Sequence, residues 1–295
     1  MSDIALVTCS RLPELDPDDR PLIEHLGRRG HSAVPATWDD LEVDWKRFAV
    51  VVLRNPWDYT DRRDEFVAWA KSVASLLNPA DVVEWNTDKR YLGDLARAGV
   101  PIVPTTWIEP GDVVRLPDEG RHVLKPSVGA GSLDAAAFSL HDIREQQLAR
   151  DHAQRLLATS QTVMLQPYLD LIEERGETGL IYMGGEFSHA IGKGPMLVRQ
   201  TKVEGDALYK EEVITAREAL ADELEVGRQA LEAVPGGSAR LLYARVDMVP
   251  GPDGSPLLME LELTEPSLFM STTPGTVERF ADAIAARALV GSRQT

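Results

Sequence analysis

Ala244-Arg245-Val246-Asp247-Met248-Val249, the turn Gly251-Pro252-Asp253-Gly254, and Leu257-Leu258-Met259-Glu260-Leu261-Glu262-Leu263 spell a β-hairpin with charge set among apolar residues. Strands are read over residues 241–249 and 257–263. Side chains two apart on a strand face the same way, so Arg245 shares a face with Asp247, and Glu260 with Glu262. Several carboxylates and an arginine among Leu, Val and Met are costly to desolvate without a cation. Hard oxygens at that density suit Mg²⁺ bound together with substrate phosphates. The same alternation fits a solvent-facing strand pair with ordinary cross-strand ion pairs, and at this point both readings stand.

Working back from this hairpin, Leu180-Ile181-Tyr182-Met183, Gly184-Gly185 and Phe187-Ser188-His189-Ala190-Ile191 read as another, followed by Gly192-Lys193-Gly194. Val163-Met164-Leu165-Gln166-Pro167-Tyr168 is a strand ending in a turn. Before it, His122-Val123-Leu124-Lys125-Pro126 runs into a small-residue loop, Ser127-Val128-Gly129-Ala130-Gly131-Ser132. Ser127, Gly129, Gly131 and Ser132 would let backbone N–H groups approach a phosphate closely. The loop has neither the Gly-Lys-Ser/Thr ending of a Walker loop nor G-x-G-x-x-G spacing, so a plain turn is its alternative reading. Lys89 opens a helix read over residues 87–99, while Lys125 lies mid-strand, where its charge must find water or a partner.

The first 85 residues alternate strands and helices: strands at 4–8, 31–35 and 49–53, helices at 21–29 and 64–77. That alternation predicts a parallel α/β lobe. Further helices are read at 143–159, 217–234 and 276–289. Trp38, Trp45, Trp57, Trp69 and Trp85, bunched early, read as packing.

The whole chain has 295 residues, and 31 Lys+Arg against 47 Asp+Glu leave a net charge of −16. Such a balance disfavours nucleic acid as a partner, since phosphate backbones are met by clustered Lys and Arg. No apolar run reaches the ~18–20 residues of a membrane helix. The start, Met1-Ser2-Asp3-Ile4-Ala5-Leu6-Val7-Thr8-Cys9, reads as a first strand rather than a signal peptide, so a cytoplasmic protein is expected. A single cysteine, Cys9, excludes an intrachain disulfide. The histidines lack zinc-ligand spacing, and no G-x-S-x-G elbow is present.

Taken in order, Asp88-Lys89, Gly99-Val100-Pro101, Val123-Leu124-Lys125-Pro126 with its glycine loop, Leu165-Gln166-Pro167-Tyr168, Gly176-Glu177, Ala244-Arg245-Val246-Asp247 and Met259-Glu260-Leu261-Glu262 resemble the ATP-grasp superfamily over residues 85–270. Within it the chain is similar to glutathione-synthetase-like ligases. It is nearer still to O-ureido-serine cyclo-ligases of cycloserine biosynthesis, through Arg54-Asn55-Pro56-Trp57, Ser188-His189-Ala190-Ile191 and Glu265-Pro266-Ser267-Leu268. The resemblance implies an α/β fold, α+β in the grasp lobes. Its divisions would be an N-terminal parallel lobe at 1–85, a central lobe with the glycine loop at 86–168, and a C-terminal lobe with the metal hairpin at 169–295.

The implied activity is ATP-dependent carboxylate–amine ligation through an acyl phosphate, including intramolecular ring closure, on small-molecule substrates. The alternatives are an ATP-grasp kinase and a nucleotide-binding regulator without turnover. Lys89, Lys125 and the 127–132 loop would bind phosphates, Gln166, Pro167 and Tyr168 the adenine edge, and Glu177 the ribose. Asp247, Glu260 and Glu262 would hold two Mg²⁺ ions, with Mn²⁺ as an alternative; many members have Asn where Glu262 stands. Arg245 and Lys193 would be catalytic, and a homodimer is plausible by resemblance. On the substrate side, Arg54, Asn55 and Trp57 follow a strand at its carboxyl end, where ligands sit in open α/β sheets, and Ser267 and Leu268 follow the metal strand. Arg54 is read either as a clamp for a substrate carboxylate or as half of a surface pair with Asp58 or Asp64.

Overall fold

A computed structural model describes residues 3–131, 133–194 and 213–291. The N-terminal region is an α/β layer with β1 (Asp3–Thr8), α1 (Pro21–Arg28), β2 (Ser32–Thr37), β3 (Val50–Asn55), α2 (Arg63–Ser72) and β4 (Leu76–Leu77). Its four strands are parallel in the order β2-β1-β3-β4. β1 and β3 are buried on both faces, which accounts for their near-continuous apolar runs. On one face, Phe66 and Ala70 of α2 pack with Trp38, Trp45 and Trp69, so these tryptophans are indeed packing.

Two short helices follow, α3 (Ala80–Asn86) and α4 (Tyr91–Arg97). Next comes an antiparallel sheet, ordered β5-β8-β6-β7, from β5 (Thr106–Ile108), β6 (Arg121–Pro126), β7 (Ala136–Ser139) and β8 (Val163–Pro167). α5 (Ile143–Ala158) supplies its core with Ala149, Ala153 and Leu156. After α6 (Ile172–Arg175), five strands build the last sheet: β9 (Glu177–Met183), β10 (Glu186–Lys193), β11 (Ile214–Arg217), β12 (Tyr243–Pro250) and β13 (Pro256–Glu262). Their order is β11-β10-β9-β12-β13, all antiparallel. α7 (Ala221–Glu232) covers one face, together with Tyr91, Leu92 and Leu95 of α4. α8 (Thr276–Gly291) lies between the other face and the N-terminal sheet, joining Phe280 and Ile284 to Ile4, Val52, Ile181 and Ile191.

β13 is an edge strand, and its outer side is closed by side chains and a loop rather than by another strand. Tyr91 Oη accepts from the amide of Leu261, and Asn86 both donates to the Leu261 carbonyl and accepts from the Leu263 amide. Leu258 donates to the Pro101 carbonyl and accepts from the Val103 amide. This binding fixes the strand that carries Glu260 and Glu262.

Several sequence boundaries move. The helix expected over 64–77 stops at Ser72, because Val73 turns extended and Leu76–Leu77 pairs with β3. The helix expected over 87–99 is α4 alone; α3 precedes it, and Asp88 and Lys89 occupy the turn between them. The helix expected over 217–234 begins at Ala221, since Arg217 still pairs with Ala190 in the sheet. β3 continues through Arg54 and Asn55, which therefore lie on the strand and not after it.

Candidate active site

The three sheets surround a cavity of about 480 Å³. The β12–β13 register puts Arg245 opposite Glu262 and Asp247 opposite Glu260, so the two same-side pairs expected from alternation meet on one wall. Arg245 Nε donates to Asp247 Oδ1 at 2.9 Å, its Nη1 to the Ser267 carbonyl at 2.9 Å, and its Nη2 to Glu262. Lys193, at the end of β10, donates to Asp247 Oδ2 at 2.8 Å. That reach crosses β9 at Gly179, where a Cβ would stand 3.0 Å from Asp247 Oδ1.

Lys89 projects from the turn before α4 and donates to the Gly129 carbonyl of the glycine loop, with Glu260 Oε1 3.1 Å from its Nζ. Lys125 lines the same cavity, and no ion pair reaches it among the described residues. Gly129, Gly131, Gln166, Pro167, Tyr168, Glu177 and Ser267 also line the cavity. Ser127 does not; it is buried, its carbonyl accepts from the Lys89 amide at 2.7 Å, and its amide donates to the Thr162 carbonyl. Ser132 lies outside the described residues.

Electrostatics sort the carboxylates. Burial raises the Asp247 carboxyl, but Arg245 and Lys193 overcome this and hold it below its ordinary value. Lys89 and Lys125 likewise overcome burial at Glu260. Glu262 is pushed up to about 8 by burial and by Glu260 and Asp247, despite Arg245. Burial draws Lys125 down, and Lys89 adds to this against the pull of Glu260. Among the three, Glu262 alone is thus held toward its neutral form, mainly by burial, and a divalent cation beside it would favour the carboxylate. Among the described residues, no group of three or more His, Cys, Asp or Glu is arranged to hold a metal ion. The oxygen donors suit Mg²⁺ chemically, while their present positions serve Arg245, Lys193 and Lys89.

The substrate clamp expected of Arg54 is not what the structure contains. Its side chain is fully buried outside the cavity lining; Nε donates to Asp19 at 2.8 Å, Nη1 to the Leu53 carbonyl, and Nη2 to the Pro266 carbonyl. The surface pairs with Asp58 or Asp64 fail too, since the partner is Asp19. Asn55 is buried beside it, donating to Asp19 Oδ2 and accepting from the Asp16 amide. Arg54 Nε, Nη1 and Nη2 and Asn55 Nδ2 each already donate within the protein.

The chain has a relative of matching length, the cycloserine biosynthesis protein DcsG of Streptomyces lavendulae, 38% identical over 97% of this chain and 99% of the relative. The chain belongs to the D-cycloserine synthetase (DcsG) family. The family model for the DcsG N-terminal domain matches residues 4–78. The crystal structure of D-cycloserine synthetase DcsG superimposes with a TM-score of 0.85 at 37% identity, over 97% of this chain and 99% of the other. Membership in the DcsG family makes this chain an ATP-dependent ligase that forms C–N bonds. The ATP-grasp fold extends to D-alanine–D-alanine ligase from Bacillus anthracis, with TM-score 0.63 and 15% identity over the full length of both chains. It also extends to the ATP-grasp ligase PsnB, with TM-score 0.62 and 19% identity over 97% and 99%.

Among the residues lining this DcsG-family cavity that sequence reasoning missed are Asp18, Glu265, Phe269 and Ser271. Asp18 accepts from the Met270 and Ser271 amides at 2.7 and 2.8 Å. Phe269, with a left-handed φ of +49°, lays its ring 5.5 Å from the Arg245 guanidinium and 5.9 Å from Lys193 Nζ. Trp57, read both with the packing tryptophans and as a substrate-side contact, lines the cavity and donates to the Glu265 carbonyl. No described helix is long and apolar enough to cross a membrane.

Proposed function

We propose that the chain phosphorylates the carboxylate of an O-ureido-serine and closes the side-chain nitrogen onto it, forming a cyclic amide and releasing ADP and phosphate. The observation that carries this reading is the cavity wall on which Lys89, Lys125, Lys193 and Arg245 meet Asp247, Glu260 and Glu262. A carboxylate is a poor electrophile until it becomes an acyl phosphate. Transfer of a phosphoryl group needs mostly positioning and neutralisation of charge, which is what such a wall supplies.

In this reading Lys89 and Lys125 neutralise nucleotide phosphates, and the loop carrying Gly129 and Gly131 folds over them. Gln166, Pro167 and Tyr168 face the adenine edge and Glu177 the ribose. Lys193 reaches the terminal phosphate, and Arg245 holds charge on the acyl phosphate. Asp247, Glu260 and Glu262 hold Mg²⁺, two ions in the fullest form, which neutralises phosphate oxygens when bound. Ser267 faces the amino-acid substrate. The three sheets correspond to a substrate-side lobe over 1–85 and two ATP-binding lobes over 86–168 and 169–295.

The ring closure is supported by membership in a family whose relative is a cycloserine biosynthesis protein. The test is release of ADP and phosphate with Mg-ATP across amino acids, dipeptides and both enantiomers of O-ureido-serine, beside an Asp247→Ala control. Release of both products, stimulated by O-ureido-serine alone and absent in the control, is the expected result. ADP without phosphate would replace the ligase reading by a kinase. Stimulation by a second, separate amine would replace ring closure by intermolecular ligation.

A further inference from the structure

Asp247, Glu260 and Glu262 each face a lysine or an arginine. Glu265, three residues beyond Glu262, is built differently. Its Oε1 accepts the Tyr59 hydroxyl at 2.8 Å, and among the described residues no cation pairs with it. Tyr59 itself is buried, fixed between β3 and α2 and stacked on Phe66. The backbone at this point is clamped from the same side: Trp57 Nε1 donates to the Glu265 carbonyl at 3.0 Å, and Arg54 Nη2 to the Pro266 carbonyl at 2.9 Å. Half-buried Glu265 therefore lines the cavity in a set orientation, together with Trp57, Ser267 and the wall of cations.

We propose that Glu265 is the proton acceptor for the attacking nitrogen, with Tyr59 as its positioning residue. The inference rests on the ligase reading above. As the C–N bond forms, the nitrogen's proton passes to a Glu265 carboxylate oxygen; the bond from carbonyl carbon to phosphate oxygen then breaks, and phosphate leaves with that electron pair. Glu265 returns the proton to solvent before the next turnover. A paired cation opposes protonation of a carboxylate more strongly than a neutral phenol does, and the hydrogen-bond partner of Glu265 is a phenol. Around Glu265 stand Tyr59, Lys89, Glu260, Arg245 and Tyr243. Burial leads among their effects and lifts the carboxyl to about 7, close to what a base needs at neutral pH.

The test separates activation from attack by trapping the acyl phosphate with hydroxylamine, a nucleophile that needs no base from the enzyme. The full chain is given Mg-ATP and O-ureido-serine, and hydroxamate and cyclic product are measured. Glu265→Gln is expected to make hydroxamate within about twofold of the wild-type rate while cyclic product falls about 10²–10³-fold, as for a lost general base. The retained hydroxamate also shows that the variant folds and activates its substrate. Tyr59→Phe is expected to lower cyclic product about 5–50-fold, and to cost nothing further in the Glu265→Gln background, since it acts only through Glu265. Undiminished cyclic product in Glu265→Gln would overturn the proposal, as would equal loss of hydroxamate and product, or additive effects of the two substitutions. Absence of both hydroxamate and cyclic product from the wild type would overturn the ligase reading itself.

Discussion

Lys89 Nζ stands 3.1 Å from Glu260 Oε1 while donating to the carbonyl of Gly129, so one ammonium joins the glycine loop to the β13 edge of the site. The lysine is buried, and Glu260 outweighs that burial to keep it charged. Nucleotide phosphates entering here would meet a cation already held between two sheets.

Lys89→Met should therefore act on ATP more than on the amino-acid substrate. The expected result is a KM for ATP raised about 10–100-fold, corresponding to about 1.4–2.8 kcal/mol, with a smaller change for the second substrate. Steady-state kinetics with each substrate varied in turn checks this. An unchanged KM for ATP would remove Lys89 from phosphate binding.

Arg54 leads to the opposite expectation. Its guanidinium is wholly buried against Asp19 and two carbonyls, so Arg54→Met strands a buried carboxylate. Removing one partner of a buried pair costs about 3–5 kcal/mol. Urea denaturation should show that loss, while KM for the amino-acid substrate stays within about threefold at a temperature where the variant is folded. A large KM effect without loss of stability would restore the clamp.

These two residues mark what the sequence can and cannot convey. Strand alternation is local, so the wall of Arg245, Asp247, Glu260 and Glu262 follows from the hairpin itself once its register is set. The role of Arg54 is not legible locally, because its partner, Asp19, lies 35 positions away on a loop whose path no local pattern encodes. Glu265 escaped for the same reason: Tyr59 reaches it across 206 positions. A local signal did exist, in Trp57 and Tyr59 two apart past a strand's carboxyl end. The turn holding Lys89 is not separable from the helix by residue spacing, and the helix begins only at Tyr91.

Gly176 precedes Glu177 with φ of +67°, and a Cβ there would stand 2.3 Å from the carbonyl oxygen of Lys193. Both the backbone conformation and the contact forbid a side chain. Gly176→Ala should cost about 2–4 kcal/mol and displace the end of β10 that carries Lys193. Thermal unfolding and turnover, measured together, should both fall. A variant with full stability and activity would show that this close approach is dispensable.

The Glu262 carboxyl, raised to about 8, gives the pH expectation. In metal-free protein the folded state holds this proton more tightly than the unfolded chain, whose carboxyl titrates near 4.5. The contribution is thus complete below about pH 4.5 and is lost as pH rises toward 8. His122, His152 and His189, all lowered by burial, act oppositely, gaining stability as pH rises through 6.5. The decisive comparison is therefore between wild type and Glu262→Gln, which removes only the carboxylate. In EDTA, the variant should gain about 1–3 kcal/mol on the wild type between pH 5 and 8.5, read from urea midpoints. Adding Mg²⁺ should shrink that gain, because a bound divalent cation compensates the charge that glutamine lacks. If the difference between the two proteins is flat across this range, Glu262 is ionised in the folded protein throughout, and the wall holds no raised carboxyl for a metal to relieve.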